Sequence, residues 1–218
     1  VTARGEFWDM LAPSAFARQT ELVGELRDEL GLDRTDDPLT TLRRLTEEMF
    51  RRFAYSPLST RVDSPIDEAL ASRRGVCQDF AHIFIALVRP LGIPCRYMSG
   101  YLFHSGAADR SSDGATHAWV EAFLPDLGWI GFDPTNNLLA GERHVRVASG
   151  RDYADVPPTR GVYKGSTAVK SELAVAVNVG TTHLTLPGEA MPFVPWISRN
   201  AAAPLIDADA SPQEQQQQ

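Results

Sequence analysis

Three side chains in this sequence have the types that thiol acyl-transfer chemistry requires: Cys77, His117 and Asp133. A thiolate is a strong nucleophile, a nearby imidazole can take and return its proton, and a carboxylate can orient that imidazole and stabilise its cation. Cys77 opens a run to Arg89 that includes Phe80, Ala81, Phe84, Ile85, Leu87 and Val88, with Pro90 and Gly92 behind it. Such a run is apolar nearly all round and predicts a buried central helix. A cysteine at a helix N-terminus feels the positive end of the dipole, which favours thiolate over thiol. Gly75 permits the sharp turn that would bring the thiol to a surface.

His117 and Asp133 need a different scaffold. Residues 117–123 (HAWVEAF) and 129–133 (WIGFD) read as two strands, with His117 starting the first and Asp133 ending the second. Two hairpin registers are open. A turn at Pro125-Asp126-Leu127-Gly128 pairs Leu124 with Trp129 and puts Asp133 opposite Val120, on the wrong face for His117. A three-residue turn, Leu124 to Asp126, pairs Phe123 with Leu127 and sets His117 opposite Asp133. Opposed Cβ atoms lie roughly 4.5–5.5 Å apart, close enough for a carboxylate to hold an imidazole. The second register is the expected one.

The elements around these three follow from period and punctuation. Residues 14–30 carry Leu22, Val23, Leu26 and Leu30 at helical spacing, with Gly31 at the C-cap. Pro38 opens a second helix that ends near Phe53, and Tyr55-Ser56-Pro57 marks an extended exit. Ser64-Pro65-Ile66-Asp67-Glu68 starts a short helix that Arg73-Arg74-Gly75 breaks. Cys95 to Phe103 reads as a strand, 104–115 as a small, polar surface loop, and Val145–Val147 and Leu173–Val179 as further strands. Helices first and strands later predict an α+β fold with an antiparallel sheet. The expected division is an N-terminal helical segment over 1–37 (a remnant or linker), a core over 38–180, and a Pro/Ala/Gln-rich disordered tail over 181–218. The chain starts with Val, which suggests a trimmed N-terminus.

Other reactive residues have ordinary explanations. Cys95 suits the interior of a strand. His82, five residues after Cys77, does not share its helix face and reads as structural. Asp79 suits the helix's first turn. Trp119 and Trp129 fit cross-strand packing better than a cleft wall. The arginines at 43, 44, 51 and 52 read as a solvated stripe. A net charge of −7 argues against nucleic acid, and no apolar run reaches the 18 or so residues of a membrane span. Two cysteines, with no C-x-x-C or H-x-x-x-H pair, exclude a disulfide framework and argue against structural zinc. No cofactor is expected. No acidic loop of the EF-hand type is present, which weakens a case for calcium. With no leader visible, the expected location is cytoplasmic.

Three blocks carry a resemblance. Arg74-Gly75-Val76-Cys77-Gln78-Asp79-Phe80-Ala81, Thr116-His117-Ala118-Trp119-Val120-Glu121 and Gly131-Phe132-Asp133-Pro134-Thr135 are similar to the three motifs of the bacterial transglutaminase-like superfamily. The resemblance implies a papain-like core, a nucleophile helix packed on an antiparallel sheet that carries His and Asp. It implies Cys77 as nucleophile, His117 as base and acid, and Asp133 as orienter. It also implies an upstream side chain that helps the Cys77 backbone N–H bind an oxyanion, for which Tyr55 is the candidate. The expected activity is thiol-dependent attack on an amide of a protein or peptide, most simply hydrolytic. The alternatives are a protein-glutamine transamidase and a non-catalytic interaction module that keeps the fold.

Overall fold

In a computed structural model, residues 3–34, 37–104, 109–111, 114–158 and 177–180 are described. A short helix, α1 (Ala3–Glu6), comes first in the described residues, and the central helix, α5 (Cys77–Val88), is buried at all twelve positions. Its surroundings explain how so apolar a helix is kept from water. α2 (Glu21–Glu29), α3 (Pro38–Arg52) and α4 (Ile66–Ser72) pack against it from one side. The other side meets a five-stranded sheet, spatial order β6-β5-β4-β3-β7. The strands are β3 (Cys95–Leu102), β4 (His117–Leu124), β5 (Gly128–Asp133), β6 (Leu138–Leu139) and β7 (His144–Gly150). Every pairing in this sheet is antiparallel. The α+β expectation holds.

The helices start where the sequence supplies caps. Thr20 accepts a hydrogen bond from Val23 N, so α2 begins at Glu21 and not at residue 14 as its apolar spacing suggested. Asp37 accepts from Thr40 N, one residue ahead of Pro38, which opens α3. α4 ends at Arg73, which takes the left-handed conformation (φ 53°) and turns the chain into β2 (Arg74–Gly75). β2 pairs in parallel with β1 (Ala54–Tyr55). The helical segment expected over 1–37 is packed into the fold. Ala17, Val23, Leu26 and Leu32 share one core with Leu42, Leu45, Phe80, Phe84, Val120 and Phe132.

Arg89 ties that segment down. Its buried guanidinium donates to the carbonyls of Cys95, Ala12 and Arg151 and to Ser14 Oγ. The N-terminal segment, the end of α5, the start of β3 and the exit of β7 thus converge on one side chain.

Alternation along β4 splits its residues between two faces. Ala118, Val120, Ala122 and Leu124 join the core under α5. Trp119, Glu121 and Phe123 take the other face. There Glu121, 1% exposed, pairs with Arg96 at 2.6 Å, and Arg96 lies 4.0 Å over the Trp129 ring. Phe123 packs edge-on to Trp129, and Phe7 covers both.

The hairpin register differs from the expected one. Leu124 pairs with Gly128, Phe123 with Trp129 and Val120 with Phe132. Continued by one pair, this sets Asp133 opposite Trp119. The turn explains the difference: Asp126 and Gly128 both take positive φ (66° and 74°), and Gly128 is the residue type that accepts this without strain. The return strand therefore starts one residue later than the expected register assumed. The shift amounts to two residues in pairing, so the face is preserved.

Two further expectations change. The segment 104–115 is not uniformly surface: Ser111 is buried, and the backbone N–H groups of Arg110 and Ser111 donate to Asn136 Oδ1. Of the strand expected at Leu173–Val179, residues 173–176 lie outside the described residues and 177–179 form no strand. The disordered tail expected over 181–218 also lies outside them. Among the described residues, no helix is long and apolar enough to cross a membrane.

Candidate active site

The start of α5 and the start of β4 meet. Cys77 is the first residue of the helix and 7% exposed; His117 is the first residue of the strand and 3% exposed. Gly75 prepares the helix start. A Cβ there would lie 2.8 Å from Asp79 Oδ2, so only glycine lets the Asp79 carboxylate fold back to accept from Val76 N at 2.8 Å. Asp79 also accepts from Thr60 Oγ1 at 2.5 Å, and Gln78 donates to Val62 O. These bonds strap residues 60–62 over the helix start. Burial pushes the Asp79 carboxyl up to about 6, against the pull of its two donors.

His117 Nε2 lies 2.8 Å from Asp133 Oδ2. The two are diagonal neighbours across the hairpin, and a diagonal Cβ separation of about 7–8 Å is within reach of an imidazole and a carboxylate. Nδ1, the other ring nitrogen, is buried and pairs with no other side chain, and the Cys77 thiol interacts with the same imidazole. Burial alone would push the imidazole's pKa down. The Asp133 charge and hydrogen bond, with a further contribution from the Cys77 thiol beside it, overcome that and hold it well above its ordinary value. Asp133 is fully buried, which opposes ionisation, yet His117 and its other donors hold it far below the usual carboxylate range.

Those other donors were not legible in the sequence. Asp133 Oδ1 accepts from the backbone of Thr135 and Asn136, and Oδ2 accepts from Asn136 Nδ2 at 2.9 Å and from His144 Nε2 at 3.2 Å. Asn136 also bonds Ser111, and so links the carboxylate to the segment before β4. His144 opens β7, and that strand position beside β3 brings it to the site. Trp119 joins the two histidines: its ring stacks on His117 at 6.0 Å and meets His144 edge-on at 5.1 Å. Gly100 makes room, since a Cβ there would collide with Val145 O and the Trp119 ring. Trp119 therefore walls the site, whereas Trp129 is the cross-strand packing residue both were expected to be.

The remaining candidates separate clearly. Tyr55 pairs with Gly75, two residues before Cys77, and packs against the core. Cys95 is fully buried, and burial pushes its thiol up to about 12. His82 is stacked between Phe16 and Tyr97 and accepts from Tyr153 N. His117, Asp133 and His144 offer ligand atoms within 4.8 Å of one another. The shared Asp133 oxygen already receives three N–H donors, so the cluster is accounted for as a hydrogen-bond network.

Comparison with known proteins bears on the fold that carries this geometry. The family model of the transglutaminase-like superfamily matches residues 30–134. The chain carries a transglutaminase-like domain. An uncharacterised protein of Mycobacterium tuberculosis is 35% identical over 195 residues, covering 78% of this chain and 62% of that protein. A protein-glutamine gamma-glutamyltransferase of Pseudomonas aeruginosa is 31% identical over 134 residues, 57% of this chain and 20% of that one. A crystal structure from Cytophaga hutchinsonii, of a protein provisionally named a cysteine protease, superposes with a TM-score of 0.59 at 32% identity. It covers 70% of this chain and 50% of that one. The chain thus spans about three fifths of the length of this mycobacterial relative. Cysteine enzymes are typical of this superfamily.

Proposed function

We propose that Cys77, His117 and Asp133 form a catalytic triad that attacks an amide carbonyl of a protein or peptide. The observation that carries this reading is the buried His117–Asp133 hydrogen bond of 2.8 Å, with the Cys77 thiol interacting with the same imidazole. The Cys77 thiolate adds to the carbonyl carbon, and the carbonyl π electrons move to oxygen. The Cys77 backbone N–H at the start of α5 and the Tyr55 side would supply donors to that oxyanion. Collapse breaks the C–N bond, His117 gives its proton to the departing nitrogen, and a thioester remains. Water, deprotonated by His117, then attacks the thioester. The carboxylate leaves and the thiol is restored.

Hydrolysis is the simplest outcome, because water needs no second binding site. A transamidase is the second reading, favoured by the similarity to a protein-glutamine gamma-glutamyltransferase. There a primary amine replaces water at the thioester.

The decisive experiment is iodoacetamide labelling across pH, read by mass spectrometry. Cys77 should label at pH 6 far faster than Cys95, with a rate step well below the free-thiol value of about 8.5. His117→Ala should abolish that step. If Cys77 labels like an ordinary thiol and ignores the His117 change, the triad reading falls and a non-catalytic module takes its place. Incubation of a glutamine-bearing protein with a fluorescent primary amine then separates the acceptors: incorporation marks a transamidase, and carboxylate release without it marks a hydrolase.

A further inference from the structure

The triad carboxylate has two histidines. Asp133 Oδ2 receives His117 Nε2 at 2.8 Å and His144 Nε2 at 3.2 Å. The tautomer of His144 is set from its far side, where Nδ1 accepts from Gly141 N at 3.3 Å. An imidazole that accepts at Nδ1 carries its proton at Nε2 when neutral, so His144 donates to the carboxylate. Its side chain is 3% exposed, and the Trp119 ring spans from it to His117. The titratable groups meeting the His117–Asp133 pair are Cys77 from α5 and His144 from β7.

We propose that His144 is a positioning residue for the triad, and that by sharing Asp133 Oδ2 it limits how tightly that oxygen holds the His117 proton. The inference rests on the triad reading above. A carboxylate oxygen's charge is divided among the donors it accepts, and a hydrogen bond to the charged form weakens its pull on any other proton. This matters because His117 must do two opposed things. It must stay cationic while the thiolate waits, and it must release its proton to the leaving nitrogen. A carboxylate serving one imidazole alone favours the first at the expense of the second. The second histidine moves the balance toward release, and its contact with Trp119 holds both rings in register.

The test uses the iodoacetamide profile of Cys77 in the whole chain. A thiolate–imidazolium pair gives two rate steps: a low one where the pair forms and an upper one where the imidazolium loses its proton. His144→Phe keeps a ring against Trp119 but removes the donor. The upper step should then rise by about one pH unit, while amide turnover falls. His144→Gln places an amide N–H where Nε2 stood and should return the upper step toward wild type. A merely structural role would lower thermal stability without moving that step. Two steps in wild type with the upper one unmoved in His144→Phe overturn this inference and leave the triad standing. A single ordinary step in wild type overturns both. Should His144→Phe fail to fold, 15N-histidine NMR of the wild-type protein decides: a proton on His144 Nε2 at neutral pH sustains the inference, and a proton on Nδ1 refutes it.

Discussion

At the scale of single residues, the site is governed by one oxygen-rich point. Asp133 collects five donors in a fully buried place, so its charge is both required and expensive to disturb. The pH dependence follows from the direction of two shifts. Asp133 is depressed, so its contribution to stability is present above the unfolded value of about 3.9 and lost as pH falls through the lower folded value. His117 is raised, so its contribution is complete below about 6.5 and lost as pH rises through the higher folded value. The pair therefore supports the fold most between about pH 4 and 6.5. In Asp133→Asn the alkaline loss should disappear, because His117 no longer has an anion to gain from. Urea midpoints of both proteins at pH 5.5, 7.5 and 9 check this; parallel decline on the alkaline side would refute it. The same substitution should cut turnover by about three to four powers of ten if the triad reading holds.

His82 gives a second pH effect from the opposite cause. Burial holds it neutral, its pKa pushed down to about 3. The unfolded chain takes up a proton below about 6.5 and the folded chain does not. Between pH 6.5 and 4, stability should fall by about 1.4 kcal/mol per pH unit on this account alone. His82→Phe should remove that slope while losing the bond from Tyr153 N. Guanidinium unfolding at four pH values measures it, and an unchanged slope would show that other groups set the acid limit.

At the scale of elements, much was written in the sequence. α5 announced itself by being apolar all round, and β4 and β5 as two short strand-like runs on either side of the turn residues at 125–128. What escaped was what has no local pattern. β1 and β2 are two-residue strands held by each other, and no periodicity exists in two residues. The hairpin register depended on which residue takes positive φ, and that choice belongs to the turn. The face shared by His117 and Asp133 survived because a slip of two preserves side-chain direction. His144 and Asn136 were missed for a related reason. A histidine opening a strand beside Val145 and Val147 looks like any edge residue until the sheet order places it next to β4's neighbours. The only available signal was its position at the start of an alternating run. Gly100 offers the element-scale prediction. Gly100→Ala should cost about 1–3 kcal/mol through overpacking against Trp119 and β7. It should also slow Cys77 labelling, since the displaced indole stacks on His117. A shift in thermal midpoint with unaltered labelling would uncouple the wall from the site.

At the scale of the whole molecule, the N-terminal residues are part of what keeps the site in place. Val23, Leu26 and Leu32 are each almost fully buried, worth about 1.5–3 kcal/mol apiece. Their sum is comparable to the roughly 5–15 kcal/mol by which a domain is stable at all. Deleting residues 1–32 should therefore yield an aggregating protein with no cooperative thermal transition, although every triad residue remains. A deletion variant that melts cooperatively near wild type would show that α3, α4 and the sheet close the core without it.

The burial of Cys95 carries a consequence for oxidative chemistry. A peroxide that reached the Cys77 thiolate would leave a sulfenic acid, which ordinarily escapes further damage by condensing with a neighbouring thiol. The chain's only other thiol is fully enclosed, with its ionisation pushed up to about 12. Rescue then depends on a small thiol arriving from solution. Without one, a second peroxide would take the Cys77 sulfur on to the sulfinic state, and the loss would become permanent.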